Sequence, residues 1–139
     1  MHLKYSFSLL ILVILFMVSC ATKVNFPVSK VNPGAKVQAK VKQDPNDNYK
    51  IELKVENLTA PDRLDPPKEM YVVWIETAKG TKNLGKINIS KSLFSSTRKG
   101  KLVTSTAYKP NRIIITAENS STNNEPGTFV VVSSEDFEL

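Results

Sequence analysis

This chain has one cysteine and one histidine, Cys20 and His2, both within its first 20 residues. Residues 21–139 therefore hold no thiol and no imidazole. Over that stretch Ser-His-Asp and Cys-His catalysis are excluded, as are thiolate or imidazole zinc sites. A single cysteine also excludes an internal disulfide, so stability has to come from buried apolar side chains. No segment repeats apolar residues at helical spacing. No Arg-rich or aromatic-interleaved stretch points to nucleic acid as a partner. Long hydrophobic runs are missing too, with one exception.

The exception is N-terminal. Residues 1–20 read MHLKYSFSLLILVILFMVSC, with Lys4 ahead of an apolar run from Phe7 to Val18 that Ser19 and Cys20 close. As a helix that run would span about 18 Å, against a bilayer core of about 30 Å. It is too short to cross a membrane and has the layout of a secretory signal peptide over residues 1–19. The tetrad Met17-Val18-Ser19-Cys20 resembles the lipobox of bacterial lipoproteins, with methionine where leucine is commonest. The resemblance implies cleavage before Cys20, lipidation of Cys20, and the membrane of a bacterial cell envelope as first partner. Several acyl chains on one residue anchor stably, at about 0.8 kcal/mol per buried CH2. Ala21-Thr22-Lys23 lacks the acidic cluster associated with surface export in some lipoprotein groups. A periplasm-facing placement is therefore expected where an outer membrane exists.

Without residues 1–19, 18 Lys and Arg stand against 13 Asp and Glu, a moderately basic balance on enough chain for one domain. Residues 20–34 carry Pro27, Pro33 and Gly34 without sustained periodicity, and read as lipid anchor and flexible tether. A folded domain is expected over residues 35–139. Ala35, Val37, Ala39 and Val41 alternate with Lys36, Gln38, Lys40 and Lys42, and YKIELKVE at residues 49–56 repeats the pattern. A period of two predicts half-buried strands, here a hairpin around DPNDN. Pairing Val41 with Ile51 would set Lys40 opposite Glu52 and Lys36 opposite Glu56.

The proline-rich residues 57–69 predict a long connection between sheets. MYVVWIET at residues 70–77 is apolar on both faces, as a central strand covered on both sides would be. Further strands are expected at residues 84–89, with Gly85 marking a bulge, and at 93–97, 102–107, 112–118 and 128–134. The fold class is all-β: a single immunoglobulin-like β-sandwich of about seven or eight antiparallel strands.

From Tyr71 onward, YVVWIETAKGTKNLG and RIIITAENSSTNNEPGTFVVV resemble the extracytoplasmic domain of RskA-type anti-sigma factors. The matching features are Leu84-Gly85, Glu118 and Pro126-Gly127. The resemblance implies a sandwich, and as one functional option an accessory or sensor in envelope-stress signalling. The sigma-binding region of that family has no counterpart here, so its activity is not carried over. The chain as a whole is similar to small bacterial lipoproteins of unassigned function.

The candidate chemistry is sparse. Asp44-Pro45-Asn46-Asp47-Asn48 begins like a calcium loop, but Tyr49 takes the glycine place and Val55 the place of the bidentate glutamate. A turn is the expectation, with no metal and no cofactor. Asp62, Asp65 and Glu69 could supply paired carboxylates, although nothing in their spacing requires a shared site. Trp74 and Tyr71 could stack on a sugar or fill the core. Tyr108, beside a turn, is a candidate exposed contact. Lys36, Lys40, Lys42, Lys50 and Lys54 would share the outer face of the hairpin. They could dock an anionic partner, or simply keep a ribbon soluble. The expected function is a non-catalytic, membrane-anchored envelope module that binds another envelope protein, a glycan or a surface component.

Overall fold

The computed structural model describes residues 20–91 and 98–139. The expected signal segment, residues 1–19, and the expected strand at residues 93–97 lie outside the described residues. Among the described residues nine strands run in chain order: β1 (Thr22–Val24), β2 (Lys36–Gln43), β3 (Tyr49–Glu56), β4 (Met70–Thr77), β5 (Gly80–Lys86), β6 (Asn88–Lys91), β7 (Arg98–Thr106), β8 (Pro110–Glu118) and β9 (Val130–Ser133). They form a five-stranded sheet, order β1-β2-β3-β7-β6, and a four-stranded sheet, order β5-β4-β8-β9. Every pairing is antiparallel. With β1 set aside, the order matches the ABED and C′CFG sheets of an immunoglobulin-like sandwich. The fold class is as expected.

Alternation fixes the hairpin register. Val41 faces Ile51, Lys40 faces Glu52 and Lys36 faces Glu56. A slip of one residue would turn Val41, Ile51 and Leu53, all fully buried, out to solvent. The turn that joins β2 to β3 spends its acid on itself. The Asp44 carboxylate accepts from the backbone N–H of Asn46 (2.8 Å) and of Asn48 (2.9 Å). The Asn48 bond is the main force that lowers the Asp44 pKa.

Two apolar layers result. Between the sheets lie Val41, Ile51, Leu53, Val55, Tyr71, Val73, Ile75, Ile113 and Ile115, with Leu58 and Leu64 from the crossover packed among them. Val72 and Trp74 point the other way, yet both are fully buried. On that outer face Asn83 of β5 donates its side-chain amide to the carbonyls of Ser121 and Asn123, which draws the loop after β8 across the sheet. So β4 is covered on both sides, as its sequence predicted. Trp74 and Tyr71 are core, and neither face is free for a sugar.

Three features differ from the sequence reading. The expected strand at residues 84–89 is two strands in different sheets, because the chain changes sheet at Ile87. Gly100 makes that crossing possible: a Cβ on it would lie 2.5 Å from Ile87 Cγ2. β7 runs from Arg98, so residues 98–101, between the expected strands at 93–97 and 102–107, are strand as well. Gly85 does sit at a bulge, where β4 slips against β5 between Val73 and Trp74, and its φ of 105° suits glycine.

The third difference is the tether. Thr22–Val24 pairs with β2, and Val24 is buried. Ser29 is buried too, and donates its hydroxyl to the carbonyl of Val131 on β9 (2.6 Å). This segment therefore passes from the edge of one sheet to the edge of the other and closes the side of the sandwich. Only three residues pair, and prolines follow, so the sequence has no run long enough to show a period.

Tyr71 offers a pH test of the core. Its hydroxyl donates to the carbonyl of Thr59 (2.8 Å), and burial pushes its pKa up to about 12, with Arg98 acting in the opposite direction. The unfolded phenol titrates near 10. Stability from this group is complete below pH ~10 and falls as pH rises towards about 12, by about 3 kcal/mol in all. Urea unfolding between pH 9 and 12 (roughly the span of both values) should show that fall, and Tyr71→Phe should flatten it.

Candidate functional site

The outward side chains of the five-stranded sheet assemble one surface from all five strands. Pairing sets Lys36, Glu56 and Lys99 together at one end. Next come Gln38, Lys54, Lys101 and Asn88 in one row, then Lys23, Lys40, Glu52 and Val103, then Lys42, Lys50 and Ser105. All of these except Glu52 are exposed. By strand spacing and rise, the face measures roughly 20 Å each way.

Its charge is one-sided. Eight lysines stand against Glu52 and Glu56, a formal excess of six, equal to the net charge of the entire sequence. The other 11 basic and 11 acidic residues cancel, so this face carries the whole imbalance. Lys50 pairs with Glu52 at 2.9 Å, and Lys99 reaches Glu56 at 3.9 Å. The Lys50 ammonium holds the Glu52 carboxyl below its ordinary pKa, with smaller help from Lys101 and Lys54.

Three lysine pairs are directly opposed: Lys23 with Lys40, Lys42 with Lys50, and Lys54 with Lys101. Like charges in cross-strand positions cost stability. Lys54→Glu should therefore stabilise the isolated domain by about 0.2–1 kcal/mol, read as a raised denaturation midpoint at low salt. Two shallow hollows interrupt the face. One of about 340 Å³ is rimmed by Lys54, Lys99, Lys101, Ser90 and Glu56. Another of about 580 Å³ opens beside Lys23 and Lys40 and is lined also by Asn25, Phe26, Val37 and Glu135.

Of the residues singled out in the sequence, Lys36, Lys40, Lys42, Lys50 and Lys54 do share this face. Tyr108 does not join them. It lies at the turn between β7 and β8, 40% exposed, with Lys82 Nζ 4.9 Å from its ring centre. Lys23, Lys99 and Lys101 were not anticipated. Lys99, Lys101 and Val103 do alternate with Gly100 and Leu102, but the glycine disguised the strand.

Elsewhere the polar groups serve the fold. Asp62, Asp65 and Glu69 are exposed on the crossover. Glu118, 6% exposed, accepts from Thr116 Oγ1 (2.7 Å) and from the backbone N–H of Gly127 (2.7 Å). Arg112 bridges Asp136 (2.7 Å) and Glu76 (3.4 Å), tying the C-terminal segment to β4. Among the described residues no group of three His, Cys, Asp or Glu side chains could hold a metal ion.

Cys20 is exposed, and only Ala21 separates it from β1, the strand that edges the lysine sheet. Among the described residues no helix is long and apolar enough to cross a membrane. No family model, curated protein or solved structure matches this chain.

Proposed function

We propose that this protein is a lipid-anchored, non-catalytic module of a bacterial cell envelope, held through Cys20 and binding another envelope component through its lysine face. One observation carries the reading. The cysteine that closes the apolar segment lies two residues from the edge strand of the sheet on which the chain's entire charge excess gathers. An anchor at that point raises the local concentration of a weak binder, so no deep pocket is needed. The opposed lysine pairs fit an anionic partner, which would relieve their repulsion.

The anchor is tested by growing cells with a labelled fatty acid and determining the mass of the N-terminal peptide. The wild-type chain should begin at Cys20 and carry acyl groups, and Cys20→Ser should incorporate no label. An unmodified Cys20 in protein recovered from membranes would refute the anchor. Crosslinking in intact cells tests the partner: the wild type should capture a defined component that Cys20→Ser does not.

A further inference from the structure

The spacing between Cys20 and β1 restricts what the lysine face can meet. We propose that its occupant is the anionic lipid headgroup layer of the same membrane that holds Cys20, so that the sandwich lies on the bilayer. This deepens the reading above and rests on lipidation of Cys20.

Reach comes first. Cys20 and Thr22 are two residues apart, at most about 7 Å of extended chain. Thr22 is paired with Val41, so slack ends there. The edge of the five-stranded sheet is thereby held within about a nanometre of the headgroups. A flexible leash that would let the domain stand clear is absent while β1 is paired.

Charge then selects the pose. A body pinned at one corner can pivot, and the electrostatic field decides which surface turns down. Six net positive charges lie on one face, while the rest of residues 20–139 holds 10 basic against 11 acidic residues. Lys23 follows β1 directly from the pinned corner, and Lys40, Lys54 and Lys101 continue the surface inward. The hollow rimmed by Lys54, Lys99, Lys101, Ser90 and Glu56 sets three ammonium groups against one carboxylate, an excess that suits a single phosphate or carboxylate headgroup. Val103, 45% exposed in the row of Lys40 and Glu52, gives the face an apolar contact at the polar boundary. An acidic protein or a polyanionic wall polymer would meet the same charges. Only the headgroup layer has its distance from this face fixed by the anchor.

The test uses the whole protein purified from membranes and reconstituted into vesicles of phosphatidylcholine, with or without phosphatidylglycerol. Lysines are footprinted by an amine-acetylating reagent and read by mass spectrometry. Lys23, Lys40, Lys54 and Lys101 should react several-fold more slowly on the anionic vesicles. That protection should fade between about 50 mM and about 0.5 M salt. Lys68 and Lys86, off this face, should react equally on both vesicles. The combined variant Lys40→Glu, Lys54→Glu and Lys101→Glu should lose the protection at Lys23. Equal labelling on both vesicles, with acylated Cys20 in the same digest, overturns the docking and leaves the anchor standing. Protection by an added acidic protein or wall polymer, but not by anionic lipid, overturns it in favour of that partner. A digest without acylated Cys20 removes the anchor, and the inference with it.

Discussion

Trp74→Ala is expected to lower the unfolding free energy by about 3–5 kcal/mol. Domains of this size are stable by about 5–15 kcal/mol, so the variant would sit near the edge of folding. The effect does not come from the space between the sheets. Trp74 projects from the outer face of the four-stranded sheet and is fully buried there. Its indole N–H donates to Thr116 Oγ1 (2.8 Å), and that hydroxyl donates onward to Glu118 Oε1 (2.7 Å). Alanine would empty the largest volume under the loop, while Thr116 would keep its bond to Glu118. The cavity, and not the lost hydrogen bond, should dominate. Trp74→Phe separates the two, since it keeps most of the volume and removes the donor, at about 1–2 kcal/mol. Urea midpoints for both variants decide it: losses of equal size would show that the hydrogen bond, and not the cavity, is the main contribution.

The second large effect concerns Glu118. Its buried carboxylate takes the Thr116 hydroxyl and the Gly127 N–H, with Asn123 Nδ2 at 3.4 Å. Each such hydrogen bond contributes about 0.5–3 kcal/mol net of exchange with water. Glu118→Ala should therefore destabilise by about 2–4 kcal/mol and free the loop that covers Trp74. Gly127→Ala attacks the same clasp from the other side, because a Cβ there would meet Glu118 Oε2 at 2.6 Å. It should cost about 1–3 kcal/mol. The two losses must not add, since either one breaks the shared contact. A double variant as unstable as the sum of the singles would show that the clasp does not exist as a unit. Hydrogen exchange at residues 119–128 gives an independent readout, and should speed up in both single variants.

The local pattern of apolar and charged residues foretold more of the strands than of their arrangement. Alternation from Ala35 to Val55 determined both strands of the hairpin and their register, because each residue of slip would expose a set of buried side chains. The double-sided strand at Tyr71 to Ile75 was equally plain. The lysine face was only half visible. Five of its lysines lie on the hairpin, but Lys99 and Lys101 arrive through pairing of β3 with β7, about fifty residues apart in sequence. Nothing local announces a partner at that distance. Gly100 obscured the strand further, since its role is to leave room for Ile87 from another element. Lys23 was hidden because β1 is three residues long and gains its stability from the edge it covers. The Glu118 clasp had a weak signal, an acid before a polar loop ending in Pro126-Gly127, but no spacing rule says that the carboxylate turns inward.

The packed segment before β2 gives the molecule two lengths. With β1 seated, a chain fixed at Cys20 rides within a residue or two of its support. If β1 unzips and Ser29 lets go of Val131, residues 20–34 become free line of up to about 50 Å. What opposes that release is a three-residue ladder, the burial of Val24, Ser29 and Asn32, the packing of Phe26 on the core, the Ser29 hydroxyl bond to Val131, and the Glu135 N–H bond to the Asn25 carbonyl. For a domain anchored as proposed, height above the membrane would then follow the opening equilibrium of β1 and the segment after it. Pulling on the domain would draw out this reserve before disturbing the sandwich behind it.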